Sequence, residues 1–355
     1  MNRKVLVAMS GGVDSAVAAL LLKENGYDLG SITMIVWSDN KTINDDPTPT
    51  PDQNCLDARC VADALRIPHH TVALGDSFRT NVINKFLDDY KNGLTPNPCV
   101  ECNKHIKFGK LIECTDFLGY DMLATGHYAK ISKDTNGIYF LKKANDEKKD
   151  QSYFLWSIKK ELLSKILFPL GEYTKPEIRE IAAQNGFSNA HRSDSQDICF
   201  ISDGDYAAFI KNQCACRFSE GSFVDIEGNV IGQHSGIINY TIGQRKGLGV
   251  AFGKPMFVGR KNVSDNTVML CTDEQLYSNT LTANSINLLV DDPLDKPVRL
   301  QAKIRYRHTP ATATVTRTDE NKLSVKFDLP QRAIAPGQSL VLYDGDTVIG
   351  GGIIE

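Results

Sequence analysis

The sequence predicts a doubly wound parallel α/β sheet, followed by a small central domain and a C-terminal β-barrel. Three observations carry this expectation. An unbroken apolar run at the N-terminus leads into a glycine turn and a helix. Strand-like and helix-like segments then alternate to about residue 200, and short β-like runs follow from about residue 280. A chain of 355 residues is also longer than one hydrophobic core ordinarily organises. Changes in texture divide it into 1–202 (α/β catalytic domain), 203–275 (small β-rich central domain) and 276–355 (barrel).

Val5–Met9 is continuously apolar, as expected of a parallel strand covered on both faces. Ala16–Glu24 has helical composition, and Gly26 stands where a helix stops. Ser31–Trp37 reads as a second strand, Val61–Leu65 as helix and Ile67–Leu74 as a third strand. Asp121–His127 reads as a later strand ending in a functional loop. The polar segment Asp39–Asn54, with Pro47, Pro49 and Pro51 in alternation, is expected to be a surface loop. Lys142–Gln151 is charged, either a solvated loop or a basic contact surface. Beyond residue 203, Gly232–Gly236 and Gly243–Gly249 supply turns between short β runs. Val298–Ile304, Ala311–Thr316, Leu323–Phe327, Ser339–Tyr343 and Thr347–Ile354 then give five strands at barrel or sandwich spacing.

At 41% hydrophobic and 23% charged residues the composition is that of a globular protein. The net charge of −3 gives no whole-molecule attraction to nucleic acid, so any RNA contact must come from local basic patches. The first apolar run, about five residues, is too short for a signal-peptide core. No stretch approaches the roughly 20 apolar residues of a membrane span. Nine scattered cysteines favour a reducing cytoplasm over a disulfide scaffold.

Ser10-Gly11-Gly12-Val13-Asp14-Ser15 sits between the first strand and the first helix, where α/β sheets bind ligands. The two glycines can turn amide N–H groups into an anion nest, and the following helix adds its positive N-terminal end. Ser10 and Ser15 can donate to phosphate oxygens, and Asp14 can help hold Mg²⁺. No Gly-Lys-Ser/Thr follows, so this is not a Walker A loop.

Thr95–Lys104 holds Cys99 and Cys102 behind Pro96 and Pro98, which fix an extended approach. A helix is expected from Ile106. A cysteine near its N-terminus, with Lys104 and Lys107 close by, should have a lowered pKa. Taken alone, this C-x-x-C fits half a zinc or iron–sulfur site equally well, although no second C-x-x-C exists. Cys199, flanked by Ile198 and Phe200, reads on its own as a buried small hydrophobe. His69, His70, His105, His191 and His234 have no metal-ligand spacing, so no metal site is expected. Cys214 and Cys216 read as packing residues, and Cys55, Cys60, Cys114 and Cys271 carry no assigned role.

Ser10–Ser15 resembles the signature of the PP-loop ATP-pyrophosphatases, which cleave ATP between the α- and β-phosphates and transfer AMP to an oxygen. Seven further stretches extend the resemblance to the tRNA-specific 2-thiouridylase family: Thr95–Lys107, Ala124–Tyr128, Lys149–Leu155, Asp194–Ile201, Tyr240–Leu248, Lys303–Arg307 and Ala335–Gln338. They span nearly the whole chain in order. The resemblance implies that ATP is bound by Ala8, Met9, Ser10, Gly11, Gly12, Val13, Asp14 and Ser15, with Met34 against the adenine and Gly126 giving backbone access, and with Mg²⁺ balancing charge. It implies a persulfide on Cys199 and Cys102 as its partner nucleophile, ending in a Cys102–Cys199 disulfide. Asn97, Pro98 and Cys99 are implied near the target base, with His127 and Gln338 beside it, and Lys149, Asp150, Gln151, Arg305 and Tyr306 against tRNA. Some family members carry aspartate where this chain has Cys99, so the proton-transfer role there stays open. An alternative from the same residues is an iron–sulfur-dependent thiolase with Cys99, Cys102 and Cys199 as cluster ligands. The implied partners are tRNA, not DNA or a membrane, and a protein that donates persulfide sulfur.

Overall fold

The computed structural model describes residues 3–36, 53–187, 198–201, 204–214, 218–250, 253–291, 294 and 296–355. Strands β1 (Lys4–Ala8), β2 (Asp28–Ile35), β3 (His69–Ala73), β4 (Met122–Thr125) and β7 (Ile166–Leu167) form a fully parallel sheet in the order β3-β2-β1-β4-β7. Val5, Leu6 and Val7 of the central strand are all fully buried, which is why this segment shows no alternation of polarity. Helix α1 (Val13–Glu24) follows the glycine turn and buries nine of its twelve residues. It packs through Val13, Val17 and Leu21 onto Ile178 and Ala182 of the helix Lys175–Gln184. Gly26, at φ +78°, ends α1 as expected.

Helix α2 begins at Gln53, earlier than its composition suggested, and runs to Leu65. The Asp39–Asn54 loop expectation falls almost wholly outside the described residues, as do Trp37, His191, Asp194–Asp197 and Cys216. A larger difference lies at the cysteine loop. The helical path starts at Pro98, not near Ile106, and passes through a π-helix from Cys102 to Lys110 before returning to α geometry at Leu111–Phe117. Pro98 sits in the first turn, where its missing N–H costs nothing.

An antiparallel hairpin, β5 (Lys130–Lys133) and β6 (Tyr139–Lys142), leaves the α/β domain and joins the edge of the distant barrel by pairing Lys142 with Thr347. The central domain is a four-stranded sheet, ordered β10-β11-β8-β9, of β8 (Gly221–Val224), β9 (Val230–His234), β10 (Phe257–Asn262) and β11 (Thr267–Cys271). The C-terminal barrel comprises β12 (Tyr277–Leu288), β13 (Val298–Lys303), β14 (Ala311–Asp319), β15 (Lys322–Arg332), β16 (Ser339–Asp344) and β17 (Thr347–Ile354). It closes because β12 pairs with both β15 and β17. Strand β12 escaped the sequence reading: with Ser, Thr and Asn at most positions, it resembles a loop, and its two neighbours hold it.

Apolar packing runs without a break between these units. Leu6, Phe108, Tyr153 and Trp156 of the α/β domain share a core with Leu289, Val341, Tyr343 and Val348 of the barrel. Phe78, Phe86, Cys102 and Ile106 share another with Phe223, Tyr240 and Val258 of the central domain.

Candidate active site

Two clusters of functional side chains lie at the carboxyl ends of the parallel strands, the phosphate loop and the thiols. In the loop, Ser15 Oγ accepts from the Ser10 amide (3.2 Å) and donates to the Gly12 carbonyl (3.0 Å), closing the turn on itself. Gly11 holds φ +73°, and a Cβ there would stand 2.6 Å from the Asn54 carbonyl oxygen. Glycine is therefore required twice over, by backbone angle and by space. Gly126 is needed for a related reason: a Cβ would lie 2.9 Å from the backbone of Asp14 and Ser15. Ala8 and Met34 stand at the ends of β1 and β2, and the Met9 backbone is tied to β2 by bonds to Ile32 and Thr33.

Asp14 is held by three hydrogen bonds from two residues. Lys175 Nζ donates to both its carboxylate oxygens (2.7 and 2.8 Å), and the Tyr128 hydroxyl donates to Oδ1 (2.8 Å). Lys175, only 5% exposed, was not singled out by sequence reasoning. The signal was present in Thr174-Lys175-Pro176-Glu177, which forms a capping box with proline in the first turn and starts a helix pointing at the loop. The nest of amides and hydroxyls suits a phosphate. The single carboxylate, already ion-paired, is no metal site by itself, so Mg²⁺ would arrive as the counter-ion of bound triphosphate and there balance its charge.

The second cluster gathers Cys99, Cys102 and Cys199 within electrostatic reach of one another and of Lys107. The turn 198–201 is pinned by its neighbours rather than by secondary structure. Phe200 packs edge-on against Phe78 (5.7 Å) and Phe86 (5.4 Å), and Ile201 is buried in the same core. Cys199 itself keeps exposed surface, as does Cys99, whereas Cys102 is buried. Cys99 and Cys199 thus combine accessible surface with a largely protein surrounding, which suits a recess open to a ligand. The lowered thiol pKa expected from sequence is reversed: burial raises all three, Cys102 to about 12, and Lys107 opposes the rise at each. All eight described cysteines are free thiols. Among the described residues no three or more Cys, His, Asp or Glu side chains are grouped to hold a metal ion, so the cluster alternative lacks geometric support.

His127 follows Gly126, which packs on the phosphate loop, and reaches Lys107 on the thiol side. It is buried against Phe108 and Phe168, its Nδ1 lies 2.7 Å from Thr125 Oγ1 and its Nε2 lies 3.2 Å from Lys107 Nζ. Burial, and then Lys107, hold its pKa well below the ordinary histidine value, so it is neutral near pH 7. A neutral ring accepting from the lysine at Nε2 donates its Nδ1–H to Thr125.

The residues implied as tRNA contacts divide. Asp150 is 6% exposed, and its carboxylate is consumed by the Ala144 and Ser152 amides and the Ser152 hydroxyl. Its carboxylate therefore shapes its own loop from within. Gln151 binds the Tyr128 amide through its side chain and the Tyr128 carbonyl through its own amide, fixing the residue that holds Asp14. Lys149 is half-buried on the same loop. Tyr306 leans on Phe154 (4.5 Å), and Lys303 lies over the Tyr306 and Tyr153 rings. Arg305 donates to the Arg332 and Ala333 carbonyls at the edge of a groove of about 600 Å³ shared with Arg307, His308 and Gln331. Gln338 turns away from solvent to donate to the carbonyls of Thr95 and Pro96. Asn97 and Pro98 follow directly in that loop.

A parallel sheet with a Ser-Gly-Gly-x-Asp-Ser loop after its central strand defines a PP-loop nucleotide-binding enzyme class. Family models match in three consecutive blocks: the tRNA methyl transferase HUP domain over residues 3–203, its PRC-barrel domain over 207–272 and the aminomethyltransferase beta-barrel domain over 278–354. The chain is 48% identical over its full length to the tRNA-specific 2-thiouridylase MnmA of Clostridioides difficile (strain 630), covering 99% of that protein. It is 46% identical to the MnmA of Acetivibrio thermocellus, again over 100% of this chain and 99% of that one. A Clostridium botulinum (strain Loch Maree) MnmA 1 is 47% identical over the whole of both chains. The chain belongs to the tRNA-specific 2-thiouridylase family of sulfurtransferases. No helix among the described residues is long and apolar enough to cross a membrane.

Proposed function

We propose that this enzyme replaces the 2-oxygen of the wobble uridine in tRNA with sulfur, at the expense of ATP. The observation that carries the reading is that Cys199 and Cys102 lie within electrostatic reach of each other and of Lys107, in the domain that holds the phosphate loop. In the first step uracil O2 attacks the α-phosphorus of ATP, N3 gives up its proton and pyrophosphate leaves; the Gly11–Ser15 amides and hydroxyls hold phosphate oxygens. In the second, the terminal sulfur of a Cys199 persulfide attacks C2, and AMP departs with the original oxygen. In the third, the Cys102 thiolate attacks Cys199 Sγ, the S–S bond to the base breaks, and its electron pair becomes the C2=S group as N3 regains a proton. The two cysteines are thereby oxidised to a disulfide, which an external dithiol must reduce before a donor protein reloads Cys199.

The target base must leave its stack to reach the thiols, and Asn97, Pro98 and Cys99 receive it there in this reading. Lys149, Arg305 and Tyr306 serve the surrounding RNA, the cations through phosphates and the ring by stacking. Asp150 and Gln151 serve by holding the loop that presents Lys149.

The test is in vitro thiolation of tRNA with ATP and a persulfide donor, read by nucleoside mass spectrometry. Cys102→Ser and Cys199→Ser should each abolish 2-thiouridine; full activity in either variant would sink the persulfide route.

A further inference from the structure

We propose that Lys107 is the positioning cation of the sulfur site: aimed by His127 and turned to the Cys102 side by the π-helical turn, it offsets part of the cost that burial places on the anionic form of the reacting sulfurs. This deepens the thiolation reading and rests on it for the identity of the reaction.

The geometry begins with the helix. In an α-helix a residue five positions on lies roughly 140° around the axis, so Lys107 would face away from Cys102. Between Cys102 and Lys110 the backbone is π-helical, with the Leu111 amide bonded to the Ile106 carbonyl, five residues back. Bonds of that span bring residue i+5 back to within roughly 50° of residue i. Lys107 therefore returns to the cysteine side. A π turn is less favourable than the α turn it replaces and is commonly kept where function needs it.

The second element is the anchor. Lys107 Nζ lies 3.2 Å from His127 Nε2, and His127 is fixed by Thr125 and enclosed by Phe108 and Phe168. A neutral acceptor of this kind orients the ammonium without cancelling its charge, which a carboxylate would do. The other charged and titratable groups nearby do not substitute for it. Glu101 and His105 face each other across 3.4 Å, and Lys104 is exposed beside them. For Cys99, Cys102 and Cys199 alike, Lys107 is the cation whose field favours the thiolate against the cost of burial. The proposed chemistry passes negative charge from the persulfide to the base and draws on the Cys102 thiolate. One fixed cation among three sulfurs serves each of these states.

The experiment measures alkylation of Cys199 and Cys102 by iodoacetamide in the full-length protein, followed by peptide mass spectrometry. Lys107→Met should slow both reactions about tenfold at about pH 8.5, as expected when thiolate is lost by about one pH unit. Lys107→Arg should recover most of the rate. Lys107→Gln retains a donor for His127 without the charge and should behave like Lys107→Met; it keeps the test available if the methionine variant fails to fold. Single-turnover 2-thiouridine formation should fall in parallel with alkylation and be rescued by the arginine. Wild-type alkylation rates in a folded, uncharged variant would overturn the role of Lys107 even if the wild-type enzyme thiolates tRNA. Slowed alkylation in a protein that makes no 2-thiouridine would instead sustain that role and dismiss the thiolation reading.

Discussion

The side-chain amide of Gln338 donates to the carbonyl of Thr95 across 2.9 Å, joining the barrel to the loop that leads into Cys99 and Cys102. The contact is reinforced by the Thr95 amide, which donates to Pro336 (2.8 Å), and by Gly337, whose φ is +89° and whose Cβ position would lie 2.8 Å from Leu94. In the proposed scheme Gln338 would act on the target base through residues 95–98. Gln338→Ala removes a donor from two half-buried carbonyls, a local loss of about 1–3 kcal/mol. The expected outcome is a fall of about tenfold or more in the single-turnover thiolation rate, with tRNA affinity by gel shift changed far less. Weakened tRNA binding at an unchanged rate would instead place Gln338 on the RNA.

Lys175 and Asp14 form an ion pair whose lysine is nearly inaccessible to solvent. Removing one partner strands the other, but Asp14 keeps about a third of its side-chain surface, which tempers the cost. Lys175→Met should lose about 2–3 kcal/mol, below the range for fully buried pairs. That corresponds to a thermal midpoint lower by about 3–4 °C in calorimetry for a chain of this size. ATP affinity should weaken as well. The Lys175→Met/Asp14→Asn double variant should be more stable than the sum of the two losses, because neither charge is then left alone.

Cys99 lies in the recess but has no sulfur-transfer role in the proposed scheme. Cys99→Ser should keep a substantial share of 2-thiouridine formation, where Cys102→Ser and Cys199→Ser keep none. Complete loss in Cys99→Ser, with activity appearing only after anaerobic cluster reconstitution, would restore the iron–sulfur alternative.

Stability should peak on the mildly alkaline side of neutrality. His69, His105, His127, His234 and His308 all have pKa values held below 6.5, chiefly by burial. The unfolded chain therefore takes up protons at these sites first, and stability drains away as pH falls below about 6.5. Cys99, Cys102 and Cys199 are raised above 9.0, so the unfolded chain releases those protons first and stability declines as pH rises past that value. Urea unfolding should show a lower midpoint at about pH 5.5 and about pH 10 than at about pH 8. A flat profile between about pH 5.5 and 8 would contradict the histidine assignment.

The sequence by itself determined the phosphate loop, the parallel sheet around it and the barrel strands that alternate in polarity. In each case the signal is local: Gly11 and Gly12 supply backbone freedom, Val5–Val7 supply two-sided burial, and β14 and β15 supply a period of two. The types and spacing of Cys99 and Cys102 were equally legible. Only the tertiary structure decided that Cys199 meets them, because Phe200 and Ile201 must first find the aromatic core built by Phe78 and Phe86. It also decided that Lys107 comes within electrostatic reach of the thiols, that Lys175 holds Asp14 and that Asp150 is buried. No periodicity in the chain encodes a π turn, and none encodes an ion pair between distant elements. Such contacts are fixed by which surfaces pack, and packing in turn sets the burial and fields that govern each thiol's charge.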